Sequence, residues 1–377
     1  MTTPPDEIAS DQRRDPAGEP PGAADARADG PRPLGVIVLA AGLGTRMRSD
    51  VPKLAHPLCG RPLLAYVLDA VAAARPHRTV VVTAPAQDAV AEILPEGVER
   101  AVQAEQRGTG DAAAAGVAAL GGFEGDVVVL HGDHPLASAS FVTGLLAAHR
   151  EGGARATVTA QTFDARHYGR IVRDAEGRLK GIVEYRDATP EQRAIGETNV
   201  GAYAFDAGVL RDVLPRLRSD NDQGEYYLTD VVGLLIDAGH EVAVYRTDDP
   251  GVAQGVNSRV ELALVAAEMR RRLLEELMLS GVTIVDPEST YVDWGVAVGR
   301  DSVIHPQTHL LGATVVGAGC EIGPGSLLRD ATVADGARVV QSHVQGCAVG
   351  PGATVGPFSY LRPGTVLDEG AKAGAFV

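Results

Sequence analysis

From Val298 onward an aliphatic residue returns every six positions: Ile304, Leu310, Val316 and Ile322 follow it, commonly with glycine next and a small residue four places on. Val333, Val339, Val355 and Leu361 continue the pattern with some five-residue steps. A period of six is neither the spacing of an amphipathic helix nor the alternation of a half-buried strand. It suits a coil with three flat sides, each turning one aliphatic group inward, so that stacked coils bury a continuous core. The segment is therefore expected to be a left-handed parallel β-helix. Residues 298 to 377 would supply roughly four coils of about 18 residues each.

Upstream the pattern changes. Short apolar runs near 36 to 40, 79 to 84, 98 to 103 and 126 to 131 alternate with helical stretches near 62 to 75, 86 to 94, 109 to 120 and 138 to 150, which is βαβ winding around a parallel sheet. Beyond Ala154, ATVTAQTF, a hairpin of GRIVRD and GRLKGIVEY, ETNVGAYAF and EVAVYRT add antiparallel pieces, with helices near 208 to 217 and 226 to 238. Residues 34 to 257 thus read as one α/β, Rossmann-like domain with a mixed sheet. RVELALVAAEMRRRLLEELML has apolar residues at helical spacing, so 258 to 280 is expected to be a connecting helix leading to the β-helix of 281 to 377. Residues 1 to 33 hold seven prolines and almost no large apolar groups. They cannot bury enough surface to order, and a disordered tail is expected.

The first strand, Val36 to Leu39, runs into a glycine-rich loop. Gly42 and Gly44, with Ala40 and Ala41, let backbone N–H groups approach an anion, while Thr45, Arg46 and Arg48 add a donor and positive charge. Pro52 stiffens the chain before Lys53, which makes that lysine the first choice for catalysis. A P-loop is absent, and GxGxxG fails because Met47 stands where its third glycine belongs. A second candidate is HGD at 131 to 133, which ends the apolar run DVVVL and sets Asp133 at the carboxyl edge of a parallel sheet, where α/β enzymes bind ligands. A carboxylate there suits Mg²⁺; an Asp before Pro135 equally suits a helix cap or turn.

LAAGLGTRM followed by SDVPK closely resembles the signature of sugar-1-phosphate nucleotidylyltransferases. The resemblance covers residues 34 to 377 and is strongest to the bacterial bifunctional uridylyltransferase and acetyltransferase family, actinobacterial type, that makes UDP-N-acetylglucosamine. It implies Mg²⁺-dependent uridylyl transfer from UTP to N-acetylglucosamine 1-phosphate with release of pyrophosphate. Arg46 and Lys53 are the implied catalytic residues. Leu39, Ala40, Ala41 and Gly42, with Gln103, Gly108 and Thr109 against the uracil, would hold the nucleotide. Gly169, Glu184, Asn199, Tyr227 and Thr229 would hold the sugar, and Asp133 and Asn257 the metal. Taken alone, Thr109 and Asn257 read as helix caps, Tyr227 as core packing and Glu184 as a solvated strand residue. His131 is expected to pack at the pocket edge, because an ionised sugar phosphate needs no general base. Leu43, AHPLCG after Lys53 and Val200 depart from the family pattern.

The family's acetyl-transfer residues lie beyond its equivalent of Val377, Arg362 alone matching, so acetyl transfer is expected to be absent. The departures around Lys53 leave open glucose 1-phosphate or a modified aminosugar, and dTTP, as substrates. A silent regulatory or scaffold subunit is the alternative outside enzymology. A net charge of −15 disfavours nucleic-acid and anionic-membrane surfaces. No apolar run approaches a membrane span and no signal peptide opens the chain, so a cytoplasmic protein is expected. Cys59, Cys320 and Cys347 are too scattered for a disulfide framework. Flat β-helix faces commonly associate, and a homotrimer is expected.

Overall fold

The computed structural model describes residues 32–85, 87–162 and 168–376. The tail expected over 1–33 falls almost wholly outside them. The first half of the chain forms, in order, β1 (Leu34–Leu39), a short hairpin of β2 (Pro57–Leu58) and β3 (Arg61–Pro62), α1 (Leu63–Ala73), β4 (Arg78–Thr83), α2 (Asp88–Ala91), β5 (Val98–Val102), α3 (Thr109–Leu120), β6 (Asp126–His131) and α4 (Ala139–Gly152). The second half adds β7 (Ala156–Thr162), β8 (Arg170–Arg173), β9 (Leu179–Val183), α5 (Pro190–Arg193), β10 (Glu197–Asp206), α6 (Ala207–Val213), α7 (Asp230–Asp237), β11 (Val242–Arg246) and α8 (Arg259–Leu279).

Strand order across the main sheet is β11-β7-β10-β6-β1-β4-β5, with the β8–β9 hairpin attached through β10. β1 runs parallel to both β4 and β6, and β10 runs antiparallel to β6 and β7. Val36, Ile37 and Val38 have no exposed surface, as expected of a strand covered on both faces. From β1 the chain winds outward to β4 and β5, then returns to the other side of β1 as β6. The order therefore reverses between β1 and β6, and a crevice opens beyond their carboxyl ends, where Leu39 pairs with His131.

The β-helix consists of three parallel sheets of six, five and five strands. Ile304 pairs with Ile322, Leu310 with Leu328 and Val316 with Val333, and each of these side chains is buried. The small residues four places on, Ser302, Thr308, Thr314 and Ser326, are buried too. Ser302 and Thr314 give their hydroxyl protons to the carbonyls of Gly317 and Leu311, both at 2.7 Å, so these two corners are satisfied inside the coil, whereas the buried Thr308 hydroxyl has no partner among the described residues. Five full coils and the opening strand of a sixth are present, against the four expected. The coils begin at Thr283, but the short turn Pro287–Ser289 separates Ile284 from Val292 by eight residues, which hides the first coil from a six-residue period.

α8 joins the halves by packing on both. Leu274 near its end belongs to the β-helix core, while Val265, Met269 and Leu273 pack with Leu58, Leu63, Tyr66 and Met47 of the sheet domain. The Trp294 ring meets Tyr66 edge-on at 5.3 Å, and Arg61 lies over both rings.

Candidate active site

The loop after β1 is shaped by contacts that glycine permits. Gly44 has φ +64°, and a β-carbon there would stand 2.7 Å from Cβ of Lys53, so any side chain would push the lysine away. The next turn, Thr45–Met47, sends Met47 into the seam with α8, where it is 1% exposed. Pro52 precedes a single turn, Lys53–Ala55, that aims Lys53 at the crevice. Its ammonium donates to Asp133 Oδ2 at 2.5 Å and to Asn257 Oδ1 at 3.0 Å. Three residues separated by 80 and 204 positions thus meet at one point. Lys53 is 8% exposed and Asp133 15%. Burial by itself would raise the Asp133 carboxyl, but the Lys53 charge beside it, with His134 and His131, holds it well below the usual carboxylate range.

The residues expected at the nucleotide line one cleft. Leu39, Ala40, Ala41 and Gly42 line it together with Gln103, Gly108 and Thr109, and Lys53 and Asp133 line it too. Gln103 is fixed by its amide N–H bonds to Asp111 Oδ2 (2.8 Å) and the Gly108 carbonyl (3.1 Å). Gly108 has φ +111°, and a β-carbon would fall 2.5 Å from the carbonyl oxygen of Tyr226. Thr109 does not cap α3: its hydroxyl oxygen accepts from the Leu228 N–H at 3.0 Å and ties the α3 start to the segment before α7.

A second cleft gathers Gly169, Glu184, Asn199, Tyr227 and Thr229. Thr229 donates to Glu184 Oε1 at 3.0 Å, and burial raises the Glu184 carboxyl against that bond. Asn199 donates to the buried Tyr203 hydroxyl at 2.7 Å. It sits where β10 bulges against β7, between Asn199 and Tyr203, with Gly201 at φ +87° against the His131 ring. Tyr227 is 6% exposed, yet lines the cleft and accepts from Gln223 at 2.8 Å. Thr109, His131 and Glu225 border both clefts, so the two share a wall. Burial, with His134 nearby, lowers His131 to about 4, which leaves it neutral near pH 7. Arg46 is exposed and lines an adjoining opening with Asn257 and Glu184.

Asn257 is not the cap of α8. Ser258 takes that role by accepting from the Glu261 N–H at 3.3 Å, and the Glu261 carboxylate accepts from the Asn257 N–H at 2.8 Å. The Asn257 side chain is thereby free to face Lys53. Among the described residues no group of three or more His, Cys, Asp or Glu side chains forms a metal cluster. Asp133 and Asn257 instead present two hard oxygens to one position, held here by an ammonium, and that donor set fits a magnesium ion whose other ligands are water and phosphate.

A MobA-like NTP transferase domain matches residues 36–221. The chain is 48% identical over 355 residues to the bifunctional protein GlmU of Mycolicibacterium vanbaalenii, covering 92% of this chain and 72% of that protein. The GlmU of Mycobacterium sp. (strain KMS) is 50% identical over 351 residues, 91% of this chain and 70% of its own. That of Thermobifida fusca is 49% identical over 317 residues, 82% of this chain and 65% of its own. The chain belongs to the GlmU family. It is an enzyme of the sugar-1-phosphate nucleotidyltransferase class, and its two clefts share one wall as a two-substrate transfer requires. In this GlmU-family site the sequence offered no pattern for three further lining residues, Tyr168, His134 and Gln223. Each is a lone polar residue on a loop, and only HGDHP, with its second histidine beside Asp133, carried any signal.

Proposed function

We propose that the chain transfers a uridylyl group from UTP to N-acetylglucosamine 1-phosphate, giving UDP-N-acetylglucosamine and pyrophosphate. The Lys53 ammonium, which lines the first cleft and is bonded to both Asp133 and Asn257, carries this assignment. A buried cation between two oxygen ligands marks where phosphate charge would be met. The Ala40 to Gly42 backbone would receive the triphosphate, Gln103, Gly108 and Thr109 the base, and Gly169, Glu184, Asn199, Tyr227 and Thr229 the sugar. Mg²⁺ on Asp133 and Asn257 would neutralise the phosphate oxygens when bound. Lys53 would then exchange carboxylate for the attacking phosphate and the charge developing at the α-phosphorus, while Arg46 meets the departing pyrophosphate. The sugar phosphate enters ionised, and no residue need take a proton. Catalysis is by positioning and charge.

Pyrophosphate release measured over a panel of nucleotides and sugar 1-phosphates tests the proposal. The highest kcat/KM is expected for UTP with N-acetylglucosamine 1-phosphate. A preference for dTTP or glucose 1-phosphate would move the assignment within the class, and no release with any pair would leave the scaffold alternative. Acetyl transfer by the 377 residues is expected to be absent, and acetylation of glucosamine 1-phosphate by the purified chain would refute that. A homotrimer belongs to the same proposal: Val315, Phe358, Tyr360 and Val366 are exposed apolar groups on the β-helix. Light scattering should return three times the 39.1 kDa chain mass.

A further inference from the structure

His134 follows Asp133 and lines two openings, one shared with Asn257 and Arg46, the other with Glu184 and Asn199. Among the described residues a single hydrogen bond sets its ring: Nδ1 stands 3.1 Å from the carbonyl oxygen of Val252. A carbonyl only accepts, so Nδ1 carries the proton and Nε2 keeps a lone pair. His131, stacked at 5.2 Å, supports one face of the ring. Nε2 looks toward Asp133 Oδ1 at 3.8 Å. Two acceptors facing each other are stabilised by a cation between them. The space beside the lone pair is also kept clear: a β-carbon at Gly255 would stand 2.9 Å from Nε2 and 3.7 Å from the Asn257 amide nitrogen.

We propose that His134 Nε2 is a third donor to the divalent cation of Asp133 and Asn257, making the protein's contribution two oxygens and one nitrogen. An imidazole whose other N–H rests on a backbone carbonyl is oriented as metal-binding histidines are. Adjacent ligands on an octahedral ion with bonds of about 2.1 Å lie ~3 Å apart, so the 3.8 Å between Nε2 and Asp133 Oδ1 closes with a side-chain shift of under ~1 Å. A nitrogen ligand moves metal preference from Mg²⁺ toward Mn²⁺ and Co²⁺. The proposal rests on Asp133 and Asn257 being cation ligands.

The test is pulsed electron paramagnetic resonance of Mn²⁺ bound to the whole chain with UDP-N-acetylglucosamine and no pyrophosphate. Imidazole ¹⁴N modulation is expected in the natural sequence and in His131→Asn, which removes the other nearby ring. In His134→Gln the modulation should vanish, and competition should shift the Mn²⁺ to Mg²⁺ preference by about tenfold toward Mg²⁺. A Mn²⁺ signal without nitrogen modulation in the natural sequence, or modulation surviving in His134→Gln, overturns the His134 assignment and leaves Asp133 and Asn257 standing. Mn²⁺ that fails to bind, or binds undiminished to Asp133→Ala, overturns the cation site and His134 with it. The natural sequence is read directly, so a misfolded variant does not blunt the result.

Discussion

The β-helix and the crevice at the end of β1 use small residues in opposite ways. In the β-helix, Ser302, Thr308, Thr314 and Ser326 occupy equivalent corners, and the loss of one leaves the others in place. At the crevice, Gly44 answers Lys53 alone, and Gly108 answers the Tyr226 backbone and the Glu225 side chain beside it. Stability in a repeat is spread over many similar contacts. Function at the crevice hangs on a few unlike ones. Core substitutions should therefore separate from site substitutions in what they damage.

The largest effect is expected from Lys53→Ala, which removes a preorganised charge and should lower turnover by about two to three orders of magnitude. Near-normal turnover would break the comparison at its strongest point. Leu328→Ala, wholly buried in the β-helix, should cost about 2–5 kcal/mol in denaturant unfolding and leave kcat of the folded fraction within about twofold. A fall in kcat matching Lys53→Ala would show that the coils are not separable from the site. Gly108→Ala combines a positive φ with a close approach to backbone, a strain of about 1–3 kcal/mol, and should raise KM for UTP more than KM for the sugar phosphate. Equal changes in both would place Gly108 outside the nucleotide wall.

The smallest effect concerns pH. Hydrogen bonds from Arg271 and then Arg272 hold Glu268 on α8 down at about 2, against an ordinary 4.5. A carboxyl depressed in the folded state contributes stability above its unfolded value, and that contribution disappears as pH falls from about 4.5 through about 2. Glu268→Gln should flatten the acid limb of the stability curve by about 1 kcal/mol, the modest worth of a partly exposed network. An unchanged limb would remove this network from the account of α8.

Much of this was legible in the chain, for reasons that differ by region. The hexads from Val298 to Leu361 are a one-dimensional code, since each coil repeats the same inward position. The first coil escaped because the turn at Pro287 breaks the period. The loop of Ala40 to Gly44 was legible because strand, glycines and lysine are local. The convergence of Lys53, Asp133 and Asn257 was not, because it exists only once β1, β6 and the start of α8 are assembled. The family resemblance named Asn257, whereas its local setting suggested a cap; Ser258 beside it takes that work and releases the amide. Tyr168 and Gln223 stayed hidden because a single polar residue on a loop has no spacing to betray it, and His134 showed only as the second histidine of HGDHP.

Met47 sits in the loop that follows the cleft residues Leu39 to Gly42, yet its side chain is locked among Val265, Met269 and Leu273 of the connecting helix. Arg259 of the same helix donates to its carbonyl at 3.3 Å. The two ends of that turn therefore answer to different regions: one to the cleft, the other to the joint between sheet and coils. Warming that slackens the joint is therefore expected to reach this loop before either core melts, and nucleotide binding measured against temperature should fall while the far-ultraviolet spectrum still looks folded.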